Sequence, residues 1–238
     1  MLGPLINSAG IVLGGLLALV LKEPVSVTIQ SRMKIILGVC TVAYGLRLTV
    51  ASLNGSLVQV LKQLAIVLLA MTLGKLAGKL LRLQTLSNAI GQFASRQIAA
   101  AGSRPQFNEG FQVATALFCA APLAILGSVQ EGLNGFAKVF YIKAVMDGMA
   151  TMAFVATFGW GVIVSAISVL AWQGAIIRCV ALLEPALQHQ AQPLIDSVNA
   201  TNGLLIFCVA LIILQLKKVA IADYLPSLAL APLLTWCL

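Results

Sequence analysis

Four long blocks of the chain carry no Asp, Glu, Lys or Arg: residues 1–21, 110–130, 148–177 and 197–216. About 20 apolar residues in a row cross a bilayer as a helix, because a helix satisfies its backbone polar groups without water. These blocks constrain the fold more than any other feature. Of the 238 residues, 60% are hydrophobic and 9% charged, where a soluble domain carries roughly 25% charged residues. The expectation is an all-α polytopic membrane protein, folded as a single integral membrane domain over 1–238.

Eight spans follow from the hydrophobic pattern: 3–21, 34–53, 57–78, 109–127, 138–158, 161–183, 197–216 and 225–238. No basic residue precedes the first block and no small-residue cleavage site follows it, so it reads as a retained helix and not a signal peptide. The longest polar segment is 79–108, where Leu83, Leu86, Ile90 and Phe93 recur at helical spacing. That spacing predicts an amphipathic helix lying on the membrane surface.

The net charge of +8 sits mostly in connectors, which is topology and not a nucleic-acid surface. Lys22, Arg32 and Lys34, then Lys79, Arg82, Arg96 and Arg104, then Lys217 and Lys218 all fall on one side of an eight-span chain. The positive-inside rule makes that side the cytoplasm, with 79–108 a cytoplasmic connector and both ends outside. Lys138 and Lys143 sit awkwardly, at the start of the fifth span. A faint echo links Cys40–Leu48 to Cys208–Leu216. These segments run in opposite directions in this topology, the pattern of an inverted repeat.

Asp147 is the sharpest chemical signal. It lies about 14 Å along the helix from Lys138, deep enough that an ionised carboxylate needs a partner or a wet cavity. Lys143, four residues earlier on the same helix face, is the candidate partner. The pair reads either as a structural ion pair or as a coupling-ion or proton site.

Glu131, Gln130 and Ser128 belong to the run Gly127-Ser128-Val129-Gln130-Glu131-Gly132-Leu133-Asn134-Gly135. One reading is an outer loop. The other is a broken helix: the glycines let the backbone turn sharply, and Pro122 removes a backbone hydrogen bond just upstream. A second break is expected near Asp196–Gly203, with Asp196-Ser197 as a helix N-cap. Asn199 and Asn202 then fall on one side of the first turns, as hydrogen-bonding glue or as ligands.

Asn7, followed by Gly10 and Gly14, suits close helix packing with an amide bond across the contact. Gly74 and Gly78 suit packing alone. Arg47 is deeper in its span than most basic residues, either snorkelling outward or guiding an anion toward a site. Gln173 and Arg178 raise the same question with less support. Trp160, Trp172 and Trp236 read as interfacial anchors or packing residues. Five scattered cysteines have no metal-ligand spacing and read as buried thiols. The single histidine, His189, leaves no triad or zinc site to build. No enzyme activity and no cofactor are implied, apart from a bound monovalent ion.

The residues Glu109-Gly110-Phe111, Phe118-Cys119, Gly127-Ser128-Val129-Gln130-Glu131-Gly132-Leu133 and Lys143-Ala144-Val145-Met146-Asp147-Gly148 together resemble the YdfK/YqgA-like family of bacterial inner-membrane proteins. Asn7 with Gly14-Gly15, and Ala222-Asp223-Tyr224-Leu225-Pro226-Ser227, extend the likeness over nearly the whole chain. Val129 and Glu131 stand where the family has Ile and Asp, and Asp196 stands near an expected Glu. The family is a domain of unknown function. The resemblance implies a bacterial inner membrane and about this many helices, without a substrate.

The leading expectation is a small secondary transporter for a small polar solute or ion, driven by an ion or proton gradient. No P-loop is present to bind ATP. Asp147, Glu131, Gln130, Ser128, Asn7, Asn199 and Asn202 are the candidate binding residues, with Lys143 and Arg47 as partner charges. A channel using the same polar stretches, and a non-transporting assembly or sensing protein, are the alternatives. The expected partners are the bilayer, the solute or ion and a second copy of the chain as a homodimer, with no nucleic acid.

Overall fold

The computed structural model describes residues 1–21, 26–100, 107–188 and 192–238. Lys22 and Arg104, read above as connector residues, and the single histidine His189 lie outside them. The chain forms eleven helices among the described residues: α1 (Leu2–Leu21), α2 (Val27–Ala51), α3 (Leu57–Leu80), α4 (Leu83–Ala100), α5 (Phe107–Ala120), α6 (Pro122–Asn134), α7 (Lys138–Phe158), α8 (Gly161–Gln188), α9 (Gln192–Ile213), α10 (Ile221–Tyr224) and α11 (Ser227–Cys237). They divide into two compact units, Met1–Leu37 with Ser87–Cys179, and Gly38–Leu86 with Val180–Leu238.

Six helices, α1, α2, α3, α7, α8 and α9, are long and apolar enough to cross a membrane, and the α5–α6 pair adds a seventh. The eighth expected span is the short apolar pair α10–α11, interrupted at Leu225-Pro226. Along α1 the usual soluble pattern is inverted: Asn7 and Gly14 are buried, while Leu13, Leu16 and Leu17 are exposed. In lipid this is the favourable arrangement, because leucine gains nothing by leaving hydrocarbon while small and polar residues gain close packing and hydrogen bonds inside. The cysteines correct the expectation of buried thiols. Cys40, Cys179 and Cys237 are exposed, and Cys119 and Cys208 are half-buried, since a small apolar thiol is as well served by lipid as by a core.

In the first unit, α1 and α7 make the main contact and run parallel. Gly3 abuts Phe140, Gly10 abuts Ala144 and Gly14 abuts Gly148, so the partner number rises along both helices. At each glycine an added Cβ would strike main chain or a ring, and only a hydrogen lets the backbones close this far. Ile11, Val113, Phe118, Phe158 and Val162 form the apolar core around this pair.

The bend between α5 and α6 is 54°, so α6 continues onward and does not double back. The parallel α1–α7 pair agrees. It requires an odd number of membrane crossings between the two helices, and α2, α3 and the bent pair supply them. The break sits at Ala121-Pro122, with the proline opening α6. This corrects the expected position of the irregularity. Gly127–Asn134 is continuous helix, and of the glycines in the 127–135 run only Gly135, at φ 71, takes the left-handed conformation that ends the helix.

The second expected break is corrected as well. α9 runs unbroken from Gln192 to Ile213, so Asp196-Ser197 is helix interior and not an N-cap. Pro193 lies in the first turn, where its missing N–H costs nothing. Asp196 instead accepts a 3.3 Å bond from Gln192 Nε2.

In the second unit, the helices that carry the two echoed segments, α2 and α9, pack on each other. Gly38 abuts Leu214 and Gly45 abuts the backbone at Gly203 and Phe207, while Thr49 Oγ1 donates to the Ala200 carbonyl at 3.3 Å. The partner number falls as α2 advances, so α2 and α9 are antiparallel. Gly74 and Gly78 of α3 meet the backbone at Ser227 and Asp223, the packing role read from their spacing. The α3–α4 joint turns at Arg82, at φ 55. A reciprocal pair holds the start of α4: Gln84 N–H donates to Asp223 Oδ1 at 2.9 Å, and Ala222 N–H donates to Gln84 Oε1 at 3.2 Å. α4 forms where expected, with Leu86 and Phe93 exposed.

Candidate functional site

Asp147 is the tenth of the 21 residues of α7, about 14 Å from one end and 16 Å from the other. It therefore sits near the middle of a span. Lys143 Nζ lies 2.5 Å from its Oδ2, the partner that the four-residue spacing predicted. Lys143 is 1% exposed and Asp147 7%, so both charges are out of water. Asn7 Nδ2, from α1, donates to the same Oδ2 at 3.0 Å and to Gln173 Oε1 of α8 at 3.4 Å. Two helices thus meet on one carboxylate oxygen, and α8 joins them through the Asn7 amide. Lys143 Nζ also lies 6.0 Å from the centre of the Phe118 ring on α5.

Two side-chain atoms of this cluster are buried with no hydrogen-bond partner among the described residues: Asn7 Oδ1, an acceptor, and Gln173 Nε2, a donor. Each such group costs about 1–3 kcal/mol. A buried ion pair adds little net stability by itself, since its attraction mainly offsets desolvation. The cluster is therefore an expensive arrangement at the depth where a spanning helix is normally apolar. Two cavities in this unit, of about 710 and 440 Å³, have neither Asp147, Asn7 nor Gln173 in their walls.

Glu131 occupies a different place. Gly3 N–H, at the start of α1, donates to both its oxygens at 3.2 and 3.0 Å, and the Met1 amine lies 2.8 Å from Oε1. A carboxylate at a helix N-terminus meets unpaired N–H groups and the positive end of the helix dipole. Glu131 and Asp147 thus hold α1 one turn apart, at Gly3 and Asn7. Ser128 Oγ donates to the Ala124 carbonyl at 2.7 Å, back-bonding within its own helix. Gln130 is 1% exposed.

The remaining predicted residues stand in the second unit. Asn199 and Asn202 are buried on α9, beside Thr201, whose hydroxyl donates to the Ser197 carbonyl at 2.8 Å. Arg47, on α2, is exposed. The first unit thus gathers Asp147, Lys143 and Asn7 into one cluster and adds Gln173, which the sequence raises with less support and leaves out of the candidate binding residues. Its signal was the amide itself, alone in a 30-residue run without charge. Thr151 Oγ1 donating to the Asp147 carbonyl at 2.7 Å completes the surroundings. Among the described residues no three His, Cys, Asp or Glu side chains group as a metal site.

A family model described as "Protein of unknown function (DUF554)" matches residues 2–236. The chain is 27% identical over 233 residues to the uncharacterized membrane protein YdfK of Bacillus subtilis (strain 168), covering 98% of this chain and 94% of that one. It is also 27% identical over 233 residues to the uncharacterized protein YqgA of Escherichia coli (strain K12), covering 97% and 94%. No solved structure matches.

Proposed function

The chain belongs to the DUF554 family of proteins of unknown function, and from that premise we propose that it is a small secondary transporter of the bacterial cytoplasmic membrane. It moves a small polar solute or ion, driven by a gradient of an ion or of protons. The buried cluster Asp147–Lys143–Asn7–Gln173 is the observation that carries this reading. Ionisable residues in a spanning segment are expensive, and they mark solute or ion pathways more often than they mark structure. An amide oxygen and an amide nitrogen left without partners give the site capacity for a guest. Relatives in two bacteria support the bacterial setting.

The test is counterflow and current in liposomes under Na⁺, proton and anion gradients, for the wild type and Asp147→Asn. Saturable exchange that the variant lacks is the expected result. A large ohmic current in its place would make the protein a channel, and no flux under any gradient would remove both readings in favour of a non-transporting protein.

A further inference from the structure

Resting on that reading of the cluster, we infer that the species bound at Asp147 is a monovalent cation and that Lys143 is its built-in competitor. The Lys143 ammonium is itself a monovalent cation, tethered to α7 and seated on Asp147 Oδ2 at 2.5 Å. What this ammonium occupies, a free cation of the same charge can occupy. The surroundings offer oxygen for one: the Asp147 carboxylate, Gln173 Oε1, and the Asn7 Oδ1 that has no partner. No hydrogen bond among the described residues reaches Asp147 Oδ1. Half a turn of the Asn7 amide exchanges its oxygen and nitrogen, bringing Oδ1 to the 3.0 Å separation from Asp147 that Nδ2 has now. Two oxygens at that spacing repel each other unless a cation lies between them.

Charge selects the valence. The cluster holds one carboxylate and one ammonium. A monovalent guest leaves a single positive charge uncompensated while Lys143 stays in place, and a divalent guest leaves two. Buried charge without a partner is costly, so the divalent ion is refused. The same cost makes even the monovalent ion bind weakly to the wild type. That suits a carrier, which must let its cargo go. Displaced from Asp147, the ammonium has the face of the Phe118 ring within reach, 6.0 Å from Nζ already, and an aromatic face attracts a cation. The tethered competitor therefore weakens binding and speeds release.

The experiment is direct binding of Na⁺, K⁺ and methylammonium to purified protein, measured by calorimetry, beside counterflow in liposomes. The three probes separate alkali ions from organic ammonium. Lys143→Gln removes the competitor and leaves Asp147 free, so its affinity should rise by about tenfold or more, with half-saturation of flux at lower concentration and a lower maximal rate. Asp147→Asn should bind none of the three. Lys143→Arg keeps a permanent charge against Asp147 and should bind more weakly than the wild type, which retains a test if Lys143→Gln does not fold. Equal or weaker affinity in a monodisperse Lys143→Gln overturns the inference. So does wild-type-like binding by Lys143→Arg, or no cation binding by either the wild type or Lys143→Gln. Binding with the expected order but without flux would overturn the transporter reading and leave the cation site standing.

Discussion

Gly10 and Gly148 face each other backbone to backbone: a Cβ on Gly148 would stand 2.8 Å from the Gly10 carbonyl oxygen, and one on Gly10 would stand 2.5 Å from the Ala144 carbonyl oxygen. The obstacle is main chain on both sides, which cannot rotate away as a side chain can. Gly10→Ala should therefore destabilise the first unit by about 1–3 kcal/mol, the cost of overpacking, although alanine favours helix over glycine by about 1 kcal/mol. Gly91, on the same unit's α4, has nothing near its Cβ position, and Gly91→Ala should be neutral or slightly stabilising. Thermal unfolding of the two variants in detergent, followed by tryptophan fluorescence, checks the contrast. Equal midpoints would show that the α1–α7 contact is looser than described.

Removing one partner of the Lys143–Asp147 pair strands the other charge in the protein interior. Asp147→Asn alone should cost about 3–5 kcal/mol. The double variant Lys143→Met with Asp147→Leu should recover most of that, because no charge is then left buried. A double-mutant cycle on unfolding free energies gives the coupling. Additive losses would mean that the two side chains do not meet in the membrane.

Asn7 supplies one hydrogen bond to Asp147 and one to Gln173. Asn7→Ala should cost about 1–3 kcal/mol, the penalty for leaving a buried acceptor short of a donor. It should also slow counterflow. Asn7→Asp places a second carboxylate beside the first and should be worse on both measurements. If Asn7→Asp matches the wild type, the 3.0 Å contact is not formed in the working protein.

Glu131 and Asp147 should separate by phenotype. Glu131 receives main-chain and amine donors at the start of α1, so Glu131→Gln keeps an acceptor there and should retain most flux while losing some stability. Asp147→Asn should lose flux outright. Flux measured per unit of folded protein in matched liposomes distinguishes them. Loss of flux in both variants would return Glu131 to the binding site.

How much of this was legible in the sequence depends on the range of each interaction. The spans were legible because lipid imposes a length and a charge rule on each one separately. The Lys143–Asp147 pair was legible because four residues is one turn of helix. Asn7 was visible as a polar oddity, yet its partner lies 140 positions away, and no local pattern carries that information. Gln173 had no neighbours at telling spacing, and packing alone recruits it. The misplaced break has a specific cause. Gly127 was read as backbone freedom, whereas a Cβ there would meet Val139 at 3.1 Å, so its role is close packing. The proline five residues earlier held the actual interruption. Asp196-Ser197 misled in the same way, since a capping pair four residues inside a helix looks like a cap until Pro193 is given its due.

That interruption has a consequence for hydration. Pro122 has no N–H to give the carbonyl one turn behind it, that of Phe118, so the α5–α6 span carries an acceptor without its helical donor. Amides flanking such a gap lack the protection of a continuous ladder. Those of residues 118–121, 123 and 124 should exchange with deuterated water sooner than those of α1 or α7 at equal depth. The span would then show a soft point at Phe118, whose ring lies 6.0 Å from the ammonium that holds Asp147.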